Sequence, residues 1–174
     1  VKSFNTAYRL RATTPKKTTI HYDPFFFPLD AVGGWNKIYG RRGFYQYQSV
    51  VPMEVAQDTT KEMLEAVAEN GSGSFLSVMK TFGEFPPEGL LSFPKQGFTL
   101  AMDFPNKGPE TTKLMDKLDQ IVAYAKGTLY PPKDNRMRGE DFRNQYPEWK
   151  TVENLRDPKI NSSFWRRIQP PLTK

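Results

Sequence analysis

The stretch GFYQYQSVVP, residues 43–52, decides what the rest of the chain can form. Its aromatic and β-branched residues favour a β-strand, and Pro52, which has no backbone N–H, ends that strand. Strand side chains alternate between two faces, so Gln46 and Gln48 share one face and the tyrosines share the other. Two glutamines on one face of a largely apolar strand indicate either the solvated side of a half-buried sheet or a surface that binds a ligand.

The segments after this strand switch between helical and strand periodicity. Leu114, Leu118 and Val122 recur at helical spacing, and Thr59 with Glu62 forms a capping-box pattern near the start of an earlier helix. The sequence predicts helices over 58–70 and 110–126 and strands over 44–51, 74–83, 98–104 and 128–130. The order β-α-β-β-α-β predicts an α+β, ferredoxin-like fold, in which an antiparallel sheet carries both helices on one face.

The residues before the first clear strand carry mixed signals. Residues 4–11 predict a strand, and residues 35–39 predict a single helical turn. Between them, Pro24 and Pro28 flank three phenylalanines, which predicts an ordered loop anchored by its aromatic side chains.

The chain changes character after Pro132, where it becomes polar with isolated aromatic residues. We expect 133–174 to form short helices on the surface of 1–132 and not a second core. Its aromatic side chains are expected to pack on that first part or on another copy of the chain, because large exposed apolar patches are unfavourable. These residues are Phe142, Tyr146, Trp149, Phe164 and Trp165.

Composition narrows the classes of function. The net charge of +6 favours anionic partners, but the basic residues are scattered, and no nucleic-acid surface is expected. The absence of cysteine excludes disulfides and thiolate metal sites from these residues and fits a reducing, cytoplasmic compartment. With one histidine and no glycine-rich phosphate loop, neither a histidine metal centre nor an internal dinucleotide site is expected. No apolar run is long enough to cross a bilayer.

Two lysines stand where a placed charge would act on a ligand. Lys80 lies in register with apolar residues of its predicted strand, so it is either an edge residue that reaches solvent or a charge placed on the sheet face. Lys133 follows a strand and two prolines, so it is either a member of a loop ion pair or a functional lysine at a strand end. Amide, ammonium and aromatic groups on one sheet face suit a polyhydroxylated or anionic ligand.

Five separated motifs share their order and spacing with a known family. They are HYDPFFFPLDAVGGWNKIYGRRGFYQYQSVVP, FLSVMKTFG, LLSFPKQGFTLAMDFP, YPPKDNRM and FRNQYPEW…RDP…SSFWRRI. Together they resemble the C-terminal part of FAD-linked oxidoreductases of the vanillyl-alcohol oxidase superfamily, closest to its sugar and aldonolactone oxidases. The resemblance implies that 1–132 is a substrate-binding, or cap, domain. It implies that 133–174 returns to an FAD-binding domain outside these residues, on the same chain or a separate one, which holds most of the FAD.

The resemblance also implies a substrate pocket on the sheet, lined by Gln46, Gln48, Lys80, Thr99 and Ala101. Lys133 would lie over the flavin and the substrate as the catalytic and cofactor-binding lysine. A mycobacterial member has asparagine and cysteine where Thr99 and Ala101 stand, so its substrate does not transfer to this chain. The two prolines before Lys133 also depart from the family pattern. Packing of the tail on the cap is expected to displace Lys133 from the glutamines compared with its place in an intact enzyme.

The resemblance thus implies oxidation of a hydroxyl of a sugar-like or related alcohol by hydride transfer to flavin, with these residues alone inactive. One alternative is a stand-alone ferredoxin-like module that binds an anionic ligand, RNA or a protein partner without redox chemistry. The RNA version lacks the closely spaced aromatic and basic residues of an RNA-recognition sheet. Another alternative is a structural domain whose sheet face is a subunit interface in a homo-oligomer.

Overall fold

Four strands form one antiparallel sheet in the part of the chain that the computed structural model describes, residues 2–11, 17–28, 30–31, 33–133 and 136–169. The strands are β1 (Phe44–Val51), β2 (Ser77–Phe82), β3 (Gly97–Pro105) and β4 (Thr128–Leu129). Their spatial order is β2-β3-β1-β4, so the predicted α+β, ferredoxin-like class is confirmed. Within these residues, no helix combines the length and the apolar character needed to span a membrane.

The first element is helix α1 (Lys2–Arg11), where the sequence predicts a strand over 4–11. That prediction is wrong. No strand of the described sheet pairs with this segment, and a helix satisfies backbone hydrogen bonds within itself.

The second element is α2 (Tyr22–Phe26), a single helical turn in place of the predicted aromatic-anchored loop. Its N-cap residue His21 accepts a hydrogen bond from the backbone N–H of Asp23 at 3.3 Å. The side chains of 25–27 are all phenylalanine and all more than half exposed, so the expected aromatic anchoring is wrong. The predicted helical turn at Trp35–Tyr39 is confirmed as a 3-10 helix.

The pairing of β1 with β3 forms the centre of the sheet. It places Tyr47 opposite Met102 on one face and Gln48 opposite Ala101 on the other. Because alternate residues of both strands share a face, one face of the sheet is apolar and the other carries polar groups. Strand β2 extends the sheet beyond β3, and the short β4 flanks β1 on the other side.

Two longer helices, α3 (Ala56–Glu69) and α4 (Pro109–Tyr124), cover the apolar face. Met63 of α3 and Leu118 of α4 are buried in one cluster with Leu100 and Phe104 of β3. The predicted capping box at the start of α3 is wrong. The 3-10 turn Met53–Val55 leads from β1 directly into the helix, so Thr59 lies inside it and is buried.

Three short helices follow the sheet: α5 (Gly139–Gln145), α6 (Trp149–Leu155) and α7 (Ser163–Ile168). Phe142, Tyr146 and Trp165 belong to the same buried cluster as the sheet and α3, which confirms that aromatic residues of this segment pack on the first part of the chain. The hydroxyl of Tyr146 donates to the carbonyl oxygen of Leu129 at 2.6 Å. This segment therefore completes the core beside β4, although the division of the chain at residue 132 stays a prediction.

Close backbone approach makes glycine necessary at one end of β3. A Cβ atom on Gly97 would lie 2.3 Å from the carbonyl oxygen of Val51, at the end of the β1–β3 ladder. Contact this close forces the strand ends apart, because a backbone carbonyl cannot move without loss of ladder hydrogen bonds.

We predict that Gly97→Ala lowers the free energy of unfolding by about 1–3 kcal/mol. The matched control is Gly83→Ala, since no atom lies within 4 Å of a Cβ added there. The control is expected to change stability by less than about 0.5 kcal/mol. Urea denaturation measures both, and equal losses in the two variants would contradict the backbone clash.

Candidate functional site

A cleft of about 80 Å³ opens on the polar face of the sheet, opposite α3 and α4. All three long strands and the segment after β4 contribute to it. Its lining consists of Gln46, Gln48, Leu76, Val78, Lys80, Ala101, Asp103 and Lys133. The polar groups are two amides, two ammonium groups and one carboxylate around a small apolar floor.

The structure brings together most of the side chains that the sequence selects. Gln46, Gln48 and Lys80 share the polar face, and Lys133 joins them although it lies outside the sheet. A displacement of Lys133 relative to its place in an intact enzyme stays a prediction. Thr99 does not line the cleft: its side chain is buried, and its hydroxyl oxygen accepts a hydrogen bond from Nε2 of Gln48 at 3.1 Å.

Asp103 organises the other glutamine. Nε2 of Gln46 donates to Oδ1 of Asp103 at 3.1 Å, and the hydroxyl of Tyr39 donates to Oδ2 at 3.2 Å. Asp103 is buried, and so is Tyr39. Burial, reinforced by the negative charge of Asp103, raises the pKa of the Tyr39 phenol, so this hydroxyl stays protonated and donates at physiological pH.

The lysine at the mouth of the cleft is partly desolvated. Burial is the main cause that lowers the pKa of Lys133 below its usual value, Asp103 opposes this, and Lys80 adds to it. The Nζ atom of Lys133 also lies 5.9 Å from the centre of the Tyr130 ring, within range of a cation–π contact. The ammonium group therefore lies near an aromatic face and is influenced by one opposite and one like charge.

Sequence reasoning misses Asp103 and Tyr39. Asp103 was detectable, because it stands two residues after Ala101 on the same strand and must share its face. Tyr39 was not, because 64 residues separate it from Asp103 and no local pattern links a 3-10 turn to a particular strand position.

Arg136 ties the segment that carries Lys133 to helix α4. Its Nη1 atom lies 2.6 Å from Oδ1 of Asp116 and 2.8 Å from Oδ2 of Asp119. The side chains of Arg136 and Asp119 are 17% and 7% exposed, so this pair is largely removed from water. Burial raises the pKa of Asp119, and Arg136 opposes that rise.

We predict that Arg136→Leu lowers the free energy of unfolding by about 3 kcal/mol at neutral pH, because it leaves Asp119 charged and buried without its partner. Without Arg136 the folded pKa of Asp119 rises further above its ordinary 3.8. The stability lost relative to the native protein should then shrink as the pH falls through that raised folded pKa, since a protonated carboxyl needs no counter-ion.

The matched control for this ion pair is Lys117→Ala. Lys117 lies 3.0 Å from Glu69, but their side chains are 53% and 71% exposed. An exposed pair contributes about 0.5 kcal/mol or less. Denaturation at several pH values measures both variants, and a pH-independent loss in Arg136→Leu would contradict the assignment to Asp119.

Other parts of the molecule offer less chemistry. Across the described residues, no group of three or more histidine, aspartate or glutamate side chains stands close enough together to hold a metal ion. A groove lies along α3, lined by apolar residues such as Met53, Leu64 and Phe98. Its charged residues Lys61 and Glu65 are exposed and already pair with each other at 4.0 Å. The polar sheet face is therefore the candidate site.

Known proteins similar to this chain include an oxidase and a protein of unassigned function. No family model matches the chain. The chain is 38% identical over 150 residues to decaprenylphosphoryl-β-D-ribose oxidase of Mycolicibacterium smegmatis, a match that covers 83% of this chain. It is 33% identical over 117 residues, or 64% of its length, to an uncharacterized protein in the mprA 5′ region of Streptomyces coelicolor. The matches span 32% of the length of each relative.

Proposed function

Because this chain is homologous to FAD-linked oxidases, as its five motifs predict, we propose that it is the substrate-binding domain of an FAD-dependent oxidoreductase. The proposed reaction is oxidation of a hydroxyl group of a sugar-like or related alcohol by hydride transfer. The observation that carries the proposal is the convergence of Gln46, Gln48, Lys80 and Lys133 on one cleft of the sheet face.

The size of the cleft supports a role as one wall of a larger site. Pockets that enclose small-molecule ligands measure roughly 300–1,000 Å³. The cleft measures about 80 Å³ and lies on an open sheet face, so it holds part of a sugar and leaves the rest to another surface. An FAD-binding domain placed over the sheet is the proposed second wall, on the same chain or on a separate one.

The donor set fits a flavin on that second wall. Bound FAD supplies the acceptor for the hydride. Lys133 would hold the flavin ring, because a cation stabilises negative charge that develops on it. These residues contain no glycine-rich loop for the phosphates, which are assigned to the other domain.

The chain's own side chains would orient and polarise the substrate. Gln46 and Gln48 hydrogen-bond the sugar hydroxyls and fix the reacting carbon. Lys133 donates a hydrogen bond to the oxygen of the reacting hydroxyl and stabilises the negative charge that develops there as the hydroxyl proton passes to solvent water. Lys80, at the other side of the cleft, suits an anionic group of the substrate. The name of the first relative describes a prenylphosphoryl sugar as that protein's substrate, and a phosphorylated sugar is the class we propose here.

We predict that Lys133→Ala, in the protein combined with its flavin domain, slows flavin reduction by about 10²-fold. Substrate affinity should fall by less than about tenfold, because the glutamines and Lys80 still hold the sugar. Anaerobic single-turnover absorbance of the flavin measures both quantities. Lys113→Ala, which removes an exposed ammonium from α4, is the control and should reduce flavin at the native rate. A native rate in Lys133→Ala would remove this lysine from the reaction.

We also predict that the 174-residue chain, purified alone, is colourless and binds FAD weakly. The phosphate loop is missing from its sequence, and the cleft offers one wall only. The comparison sample is the same chain produced together with the flavin domain, which should be yellow with about one FAD per protein. Flavin absorbance of equal strength in the chain alone would contradict the division of labour between the two domains.

The two lysines of the cleft also favour a second candidate, a module that binds an anionic ligand without redox chemistry. The same samples separate the two functions. Binding of a sugar phosphate to the chain, with no reduction of flavin by any sugar phosphate in the combined protein, would favour the module. Flavin reduction that depends on Lys133 would favour the oxidoreductase.

A further inference from the structure

The carboxylate of Asp103 is the one acidic group among the described residues that line the cleft. It is 2% exposed, which is unusual for an aspartate, and it accepts hydrogen bonds from Gln46 and Tyr39. A buried carboxylate is costly unless it is hydrogen-bonded, so its place beside the ligand surface calls for a role.

We propose that Asp103 is a positioning residue that fixes which end of the Gln46 amide meets the ligand, and so selects substrate hydroxyl groups that act as donors. This inference rests on the proposed function. An ionised carboxylate only accepts hydrogen bonds, so it holds the amide nitrogen of Gln46. The opposite orientation would place the amide oxygen against the carboxylate oxygen, and the two would repel. The amide oxygen of Gln46 is therefore the end turned away from Asp103.

The second glutamine is arranged in the same way. Nε2 of Gln48 donates to the hydroxyl of Thr99, which belongs to the same strand as Asp103. One N–H of each amide is thus held by β3, which fixes the amide orientation and leaves both amide oxygens to accept from a ligand. Lys80 and Lys133 are donors only. The cleft presents acceptors at its centre and cations at its sides, which matches a sugar with donating hydroxyls and a negatively charged substituent.

Asp103 has a second effect, on the charge of the cleft. Among the described residues, the groups that act on Lys133 within the cleft are Asp103 from β3, Lys80 from β2 and the ring of Tyr130. Among these, only Asp103 favours the protonated ammonium by its charge. Removing that charge would lower the pKa of Lys133 further, so the ammonium would be lost at a lower pH.

The first experiment uses the native protein with its flavin domain and a soluble short-chain prenylphosphoryl-β-D-ribose as probe. Its mono-deoxyfluoro and mono-deoxy analogues are compared by calorimetric titration. Fluorine does not donate a hydrogen bond. At the hydroxyl that meets Gln46, the fluoro and deoxy analogues should therefore bind equally weakly, about tenfold below the parent sugar. If every fluoro analogue binds as tightly as the parent sugar, the inference is overturned. This test uses only the native protein, so it does not depend on whether any variant folds.

The second experiment uses Asp103→Asn in the same protein. Asparagine carries a donor as well as an acceptor, so the Gln46 amide is free to turn, and the penalty for the fluoro analogue should shrink to less than about threefold. The KM for the parent sugar should rise about tenfold while the limiting rate at the optimal pH changes less than about threefold. The basic limb of the pH profile for flavin reduction should move down by roughly one pH unit.

Two further variants separate charge from structure. Tyr39→Phe removes a hydrogen bond but keeps the Asp103 charge, so the basic limb should stay where it is. Asp58→Asn neutralises an exposed aspartate on α3, across the sheet from the cleft, and should behave as the native protein. If the basic limb shifts equally in Tyr39→Phe, the role of Asp103 is overturned. The same holds if Asp103→Asn keeps the native KM and pH profile. Either result leaves the proposed function standing. A native protein in which the probe reduces no flavin would overturn the proposed function and this inference with it.

Discussion

The antiparallel pairing of β1 with β3 is the constraint on which the rest of the structure depends. One register places Tyr47 beside Met102 under the helices and, at the next position, Gln48 beside Ala101 on the open face. The core and the candidate site are therefore two sides of the same ladder. A slip of one residue would exchange them, burying the glutamines beneath α3 and α4 and exposing the tyrosines. The apolar face, which buries most of the core, is what makes the register unique.

Much of this arrangement was predictable from the sequence because period-two and period-3.6 patterns report directly on what is buried. The alternation through 98–104 and the apolar spacing from Leu114 to Val122 identify β3 and α4 and the faces they bury. The start of α3 was not predictable, since the turn after Pro52 begins the helix earlier than the capping pattern indicates. The strand predicted over residues 4–11 is a helix for a related reason. A short segment without a strand partner has no sheet to join, whatever its local propensity.

The candidate site also contains residues that were predictable from the sequence and residues that were not. Gln46, Gln48 and Lys80 were predictable because strand positions determine faces. The hydrogen bond from Tyr39 to Asp103 was not, because it depends on how a distant turn packs on the sheet. Its chemistry nevertheless follows simple rules. A buried carboxylate requires donors, a phenol with a raised pKa supplies one, and an amide supplies another. The groups left to bind a ligand are then the donors and acceptors that make no hydrogen bond within the protein.

The long separations within the site have a consequence for how it forms. The bonds from Gln46 to Asp103 and from Gln48 to Thr99 span 57 and 51 residues, and the bond from Tyr39 to Asp103 spans 64. The hydrogen bonds that organise the glutamines all join distant parts of the chain, so they cannot exist in a locally folded fragment and form only when the central ladder closes. Such non-local contacts slow folding, because a long loop must be ordered before any contact forms. They also link ligand binding to folding stability. A molecule that bridges β1 and β3 would hold together the two strands that separate on unfolding, and so would raise the free energy of unfolding.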